Sequence, residues 1–265
     1  MVETIVEDRL LVSSTRFQGG KFFAHAREQI KDLFGNRKVI TFIPYANPGG
    51  MGHQAYRDAL APTFQEMGYE LRLIENTEFG RKEDPLAKAE GIFVGGGNTW
   101  QLSSELKNRL LEGPIQHAVW RGVPYLGSSA GSNVAGITIG NTNDMPAVRT
   151  TLNGMSLVPF NINLHYQDSV TLSPEQKAAV LEIAPQLKIL LDHQGETREQ
   201  RIREYHALGN FEYVVALREG SMVRMRGHRE VSLKGTTGAV VFRPGKDPVR
   251  FDGEAKLDEI IFENI

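Results

Sequence analysis

Short apolar runs alternate with longer stretches of helical spacing through roughly the first 145 residues. RLLVSS, beginning at Arg9, reads as a first strand, and KFFAHAREQIKDLF reads as a helix stopped by GNRK. VITFIPYA is a second strand, followed by the loop NPGGMG and the helix HQAYRDALAPTFQEMG, in which Pro62 starts a new turn. YELRLIE is a third strand, PLAKAE a short helix and GIFVGG a fourth strand. NTWQLSSELKNRLLEG is helical, with Asn98 or Thr99 as its cap, and GPIQHAVWRG is one more short helix. VPYLGS is a fifth strand, and AGSNVAG opens the helix behind it.

This alternation predicts an α/β fold: a mainly parallel sheet with helices on both faces. Strands buried on both faces are apolar throughout, as VITFI and GIFV are. Right-handed crossovers bring the loops after each strand to one edge, where α/β sheets carry their sites.

Beyond about residue 145 the pattern changes. SLVPFNINLHY is strand-like and ends near His165. SPEQKAAVLEIAPQLKILLDH is helical in its first half, and ETREQRIREYHAL is helical throughout. FEYVVALREG, SMVRMRGHREVSLKG and GAVVFRPG read as antiparallel strands that extend the same sheet or form a hairpin unit. No linker rich in Gly, Ser or Pro divides the chain, so residues 1–265 are expected to form a single domain.

Composition narrows the function. A formal net charge of −2 offers no basic excess to a phosphate backbone, which argues against nucleic acid as a partner. The absence of cysteine excludes disulfides, thiol catalysis and thiolate metal sites, and is compatible with the cytosol. The N-terminus carries acids where a secretory signal has basic residues, and no apolar run is long enough to span a membrane. HExxH and paired histidines at ligand spacing are lacking, so neither a metal nor another cofactor is expected.

Two glycine-rich turns fall at strand ends. Residues 125–131, YLGSSAG, place a serine where a strand turns sharply into a helix, close to the nucleophile-elbow pattern. Ser129 is the leading nucleophile, although Ser128 and Ser129 also suit the helix cap, and Ser128 points either into the fold or toward substrate. Gly95, Gly96 and Gly97 can aim backbone N–H groups at a bound atom, and in a hydrolase they would stabilise an oxyanion together with the N–H of Ala130. The run GGGNT matches neither GxGxxG nor the P-loop, so a nucleotide site has little support. Asn98 beside the glycines is also a candidate for binding substrate.

His165 is the candidate general base, because it ends an apolar strand and its imidazole can take the serine proton. Among the other histidines, His25 and His117 lie in helical patterns and read as surface or packing residues, and His53 follows the second strand near a possible cleft. His193 and His206 flank a charged helix, and His228 lies in a turn. A carboxylate is needed to orient the base. Glu219 at a strand end and Asp144 in NTNDMP both qualify, and spacing does not choose between them. GETREQRIRE reads either as a salt-bridged helix face or as the source of an arginine that grips a substrate carboxylate.

Several segments together resemble the peptidase E family of α-aspartyl dipeptidases: FIPYA, VGGGNTWQL, YLGSSAGSNVA, NTNDMP, LVPFNINLHY and GETREQRI, in consistent order across most of the chain. The resemblance implies a fold related to class I glutamine amidotransferases and a cytoplasmic serine peptidase that needs no metal. It implies Ser129 as nucleophile, His165 as base, Glu219 as the acidic member with Asp144 as another acid considered, Gly97 and Ala130 as oxyanion donors, and Arg198 as the partner of the substrate aspartyl carboxylate. The implied substrates are small acidic peptides, dipeptides with an N-terminal aspartate, and the chain is expected as a monomer or homodimer. Two features depart from the family pattern. Ser128 stands where a tryptophan is usual, and about 28 residues, 167–194, precede GETREQ where members have fewer. An isoaspartyl or other acidic peptide is the alternative substrate, as in the related cyanophycinases, and a catalytically silent binding module is the second alternative.

Overall fold

The computed structural model describes residues 6–47, 49–74, 84–144, 146–168, 173–185 and 197–263. An eight-stranded sheet forms its centre. Five strands run parallel: β1 (Asp8–Val12), β2 (Val39–Ile43), β3 (Glu70–Leu73), β4 (Gly91–Val94) and β5 (Tyr125–Ser128), in the order β1-β5-β4-β2-β3. The helices between them are α1 (Arg27–Phe34), α2 (His53–Glu66), α3 (Thr99–Asn108), α4 (Glu112–Trp120) and the short α5 (Ala130–Asn133). They are followed by β6 (Asn161–Tyr166), α6 (Pro174–Ile183), α7 (Arg198–Ala207) and β7 (Val214–Arg218). The chain then forms β8 (Ser221–Arg226), β9 (Glu230–Gly235), β10 (Ala239–Phe242), β11 (Val249–Phe251), β12 (Ala255–Lys256) and α8 (Asp258–Ile261).

The predicted C-terminal strands divide between the central sheet and a second sheet that is larger than the hairpin unit expected. β8, β9 and β12 extend the central sheet antiparallel beyond β1. β7 and β10 join β11 and β6 in a second, four-stranded sheet, in which β6 and β7 are parallel.

Side-chain alternation along the strands sorts the core into layers. Leu10, Val12, Phe42, Phe93 and Leu126 face α1 and α2 through Ile30, Phe34, Leu60 and Phe64. Leu11, Val94, Tyr125 and Val223 face the other way, toward Leu102 of α3, Ile115 of α4, and Ile162, Leu164, Val215 and Leu217 of the second sheet. The far side of that sheet is covered by Ile202 and Tyr205 of α7. Each fully buried Leu, Ile or Phe contributes about 1.5–3 kcal/mol to this arrangement.

Three predicted elements differ. PLAKAE forms turns and not a helix: Asp84 Oδ1 accepts the Leu86 N–H at 2.8 Å, and Glu90 reaches away to accept from the Lys38 and Val39 N–H groups. Six residues are too few to nucleate a helix against such local competition. The first helix begins later than predicted, because Phe23 has φ 53° and only a 3-10 turn, Ala24–Ala26, precedes α1. The helix after the serine turn is a single turn, α5. Pro62, by contrast, lies inside a continuous α2. In the 167–194 segment, α6 bears out the helical first half, fixed by a Ser173–Gln176 capping box with Pro174 at its start. Residues 169–172 and 186–194 of that segment, His193 included, lie outside the described residues.

Candidate functional site

β5 ends at a sharp turn. Ser129 has φ 50° and ψ −118°, a backbone region costly for a residue with a Cβ. Surrounding bonds hold it there. Its N–H donates to the Val12 carbonyl at 3.1 Å, and its carbonyl accepts from Ser132 and Asn133 at 2.7 and 3.1 Å. The Tyr125 hydroxyl donates to the Gly131 carbonyl at 2.7 Å, and the Ser132 hydroxyl to Val12 at 2.9 Å. Ser128 turns into the fold and is fully buried.

The second sheet supplies the groups opposite. His165 lies one residue before the end of β6, at a break in register between Asn163 and Tyr166, with φ 56°. Such a bulge re-aims a side chain out of the regular alternation. Its Nε2 is 3.0 Å from Ser129 Oγ. Its Nδ1 is 2.5 Å from Glu219 Oε1, just past the end of β7. Burial opposes the charge on Glu219, but hydrogen bonding from His165 and Ser14 and the potential of His165 and His25 outweigh it and hold the carboxyl below its ordinary value. The strand end beside Glu219 is clamped: Arg218 bonds Asp168 Oδ2 at 2.7 Å and the carbonyls of Thr237 and Phe251 at 3.1 and 3.0 Å.

Of the two candidate acids, Glu219 meets the imidazole. Asp144 is engaged elsewhere: its Oδ2 accepts the Thr99 N–H at 2.8 Å, at the start of α3, and its carbonyl accepts from Trp100 Nε1 at 3.1 Å. A carboxylate there complements the helix dipole. The Asn98 side chain accepts from the Gln101 N–H at 3.0 Å, so Asn98, not Thr99, is the cap.

The glycine run lies directly against the serine. A Cβ on Gly96 would come within 2.9 Å of Ser129 Cβ. Gly97 has φ 143°, and a Cβ there would stand 2.1 Å from the Ala46 carbonyl oxygen. The N–H groups around it are used: Gly95 donates to Ile43, Gly96 to the Tyr56 hydroxyl at 3.2 Å, and Asn98 to Ala46 at 2.6 Å. Among the described residues, the N–H groups of Gly97 and Ala130 have no acceptor in hydrogen-bond reach. Tyr56 went unnoticed in the sequence because it sits in an ordinary helical pattern. Burial pushes its phenol up, so the hydroxyl stays neutral and both donates and accepts at Gly96.

Arg198 is the first residue of α7, behind a Thr197 cap. It is half-buried, and burial pulls it below the usual arginine range while the charges of Asp144 and Glu219 partly offset that. A guanidinium remains cationic under such a shift. No carboxylate among the described residues lies within salt-bridge distance of it. The neighbouring Glu199 and Arg203 pair along the helix at 2.8 Å, so the charged run is partly a solvated face and partly directed inward.

Three of the other described histidines have partners outside this cluster. His53 packs edge-on to Tyr45, His117 is exposed beside Arg121, and His206 bonds the Glu212 carbonyl. His25 is the packing residue that its helical spacing allowed: both its ring nitrogens are buried, and it feels the charge of Glu219.

A serine at the carboxyl edge of an α/β sheet, joined to a histidine and a glutamate from a neighbouring sheet, is the arrangement of a serine-type hydrolase. The comparisons narrow that class. The sequence model of peptidase family S51 matches residues 9–233. A probable alpha-aspartyl dipeptidase of Drosophila melanogaster is 39% identical over 241 residues, 88% of this chain and 89% of its own. Peptidase E of a Nostoc species is 34% identical over 254 residues, 95% of this chain and 96% of its own. The chain belongs to peptidase family S51 and is a serine-type peptidase of the peptidase E group. The fold also matches a putative peptidase E protein from Listeria monocytogenes (TM-score 0.54, 21% identity, 93% of this chain and 98% of that one). A peptidase from an acI-B1 Actinobacterium matches at TM-score 0.61 and 15% identity, over 95% of this chain and 97% of that one. No helix among the described residues is long and apolar enough to cross a membrane.

Proposed function

We propose that this peptidase hydrolyses dipeptides with an N-terminal aspartate, through an acyl-enzyme on Ser129. What carries the reading is the continuous hydrogen-bonded line from Ser129 Oγ through the His165 ring to Glu219, at 3.0 and 2.5 Å. His165 Nε2 takes the hydroxyl proton as Oγ attacks the Asp–X carbonyl carbon. Glu219 fixes the tautomer with the proton on Nδ1 and stabilises the imidazolium that forms. The oxygen of the tetrahedral intermediate lies between the N–H groups of Gly97 and Ala130. His165 then gives its proton to the leaving amine as the C–N bond breaks. It next takes a proton from water as the water attacks the ester carbon, and returns that proton to Ser129 Oγ as the C–Oγ bond breaks and aspartate leaves.

Arg198 pairs with the aspartyl side-chain carboxylate, and Asn98 lies close enough to the glycine run to contact the bound residue. Two observations support the arginine role: a half-buried cation at the site, and no carboxylate of the described residues neutralising it at close range. The names of the Drosophila and Nostoc relatives point the same way.

The test is a comparison of rates with Asp-Leu, isoAsp-Leu, Glu-Leu, Asn-Leu and Ala-Leu, with and without EDTA. The expected result is cleavage of Asp-Leu alone, unaffected by the chelator. Faster cleavage of isoAsp-Leu would move the specificity to the β-aspartyl linkage. Equal cleavage of Ala-Leu would remove Arg198 from substrate recognition.

A further inference from the structure

Arg198 and His165 are joined through their neighbours in sequence. Tyr166 follows His165 at the end of β6, is only 2% exposed, and donates its hydroxyl to Glu199 Oε2 at 3.0 Å. Glu199 follows Arg198 in the first turn of α7. One hydrogen bond therefore links the residue beside the base to the residue beside the half-buried arginine. Consecutive side chains on a helix point about 100° apart, so Glu199 can grip the second sheet while Arg198 points in a different direction.

The bond belongs to a charged cluster that holds both of its ends. Arg203, one turn along the helix, bonds the other carboxylate oxygen of Glu199 at 3.0 and 2.8 Å. Arg250 of β11 stands 3.5 Å from Glu199 Oε2, acts on the Tyr166 hydroxyl too, and bonds Asp168. Asp168 is bonded in turn by Arg218, the residue opposite Tyr166 on β7. Burial opposes the charge of Glu199, but its bonds to Arg203 and Tyr166 outweigh it. Burial also pushes the Tyr166 phenol up to about 12, so its proton stays on the hydroxyl. Packing does little to fix the start of α7, because its buried residues, Ile202 and Tyr205, both lie further along. Tyr205 makes a separate tie toward the far end, accepting from Asn161 of β6 at 3.1 Å and donating to Glu212 at 2.6 Å.

We propose that Tyr166 is a positioning residue for substrate recognition. By holding Glu199 it sets where Arg198 stands relative to His165, and hence how far the aspartyl carboxylate is held from the carbonyl that Ser129 attacks. The proposal rests on the reading that Arg198 pairs with that carboxylate. An aspartyl side chain puts one methylene between its Cα and its carboxylate, so a recognising group serves only within a narrow range of positions. A bond from a phenol to an ionised carboxylate is directional and about twice as strong as a neutral one, which suits it to fix that range.

The experiment measures steady-state kinetics on Asp-Leu, with thermal midpoints, for Tyr166→Phe, Arg198→Met, the two combined, Glu199→Asp and Tyr205→Phe. Tyr166→Phe keeps the buried ring and should raise KM about fivefold, with kcat changed less than about twofold. In the Arg198→Met background the same substitution should raise KM no further, because the two residues then act through one lost contact. Glu199→Asp withdraws the carboxylate from the hydroxyl and should raise KM as Tyr166→Phe does. Tyr205→Phe deletes a hydroxyl from the same helix about 10 Å from Arg198, and should lower the thermal midpoint without changing KM. Wild-type KM in both Tyr166→Phe and Glu199→Asp would overturn the role of Tyr166. So would an equal rise in the two arginine backgrounds, or the same rise in Tyr205→Phe. Wild-type KM in Arg198→Met would instead overturn the arginine reading beneath the proposal, and the proposal with it.

Discussion

His165 Nδ1 and Glu219 Oε1 stand 2.5 Å apart across 54 positions of sequence. The pairing of β6 with β7 accounts for it. These strands run parallel with Tyr166 opposite Arg218, so the residue before one and the residue after the other meet at the same sheet edge. Glu219→Gln would keep the shape but allow the wrong tautomer at His165. The expected loss in kcat is about 10⁴-fold, with little change in KM. Asp144→Asn, measured in parallel by steady-state kinetics, should cost far less in kcat. Its main effect is at the start of α3, about 0.5–1 kcal/mol of stability, read by denaturant titration.

Ser129→Ala removes the atom proposed to attack. Peptidase activity should fall by at least about 10⁴-fold while far-UV circular dichroism is unchanged. Its thermal midpoint should stay close to that of the wild type, because the substitution removes only the part-buried contact of the hydroxyl with His165. A folded Ser129→Ala protein that still turns over would place the chemistry elsewhere.

Gly97→Ala tests the glycine run. The new methyl group would overlap the Ala46 carbonyl, and φ 143° is a conformation side chains avoid. Backbone strain of about 1–3 kcal/mol is expected in the thermal midpoint, with the loop displaced from Ser129. Activity should fall further than stability, since a misplaced oxyanion donor alone costs about 10²-fold or more in kcat.

Arg198→Met keeps length and removes charge. KM for Asp-Leu should rise by about tenfold or more, with any residual cleavage of Ala-Leu unchanged. Equal losses on both substrates would assign Arg198 to packing and not to recognition.

Acid should destabilise this fold. Glu219, Asp168, Glu199 and Asp32 are all held below their ordinary values in the folded state, by His165, Arg218, Arg203 and Arg224 respectively, against the cost of burial. Carboxylates depressed in this way contribute fully above the unfolded values of 3.8 for Asp and 4.5 for Glu. Their contribution is lost as pH falls through the lower folded values. The thermal midpoint should therefore be flat with respect to these groups near pH 6 and fall steadily below about pH 4.5, as scanning calorimetry would show.

Much of this was legible in the chain. VITFI, GIFV and VPYLGS announced buried parallel strands, and the strand-to-helix turn at Ser129 and the strand end at His165 followed from local pattern alone. The choice between Glu219 and Asp144 did not. It depends on β6 and β7 pairing in a sheet of their own, a long-range fact with no local signature. His25 was read as a surface or packing residue, and the structure makes it a packing one, its ring nitrogens buried and its ring 6.0 Å from that of Phe17. β11, β12 and α8 were missed because elements of two to four residues are fixed by their partners and carry almost no periodicity.

Ser129 and His165 belong to different sheets. Ser129 is carried by the central one, His165 and Glu219 by the smaller one, and the two are joined through Ile162, Leu164, Val215 and Leu217. The 3.0 Å between Ser129 and His165 is thus set by a hydrophobic seam, as the gap of a vice is set by its screw. Trimming a methyl group in that seam would detune turnover before it endangered folding, and filling it would do the same from the other direction. Substitutions remote from substrate therefore offer a way to tune the speed of this enzyme without touching any group that performs its chemistry.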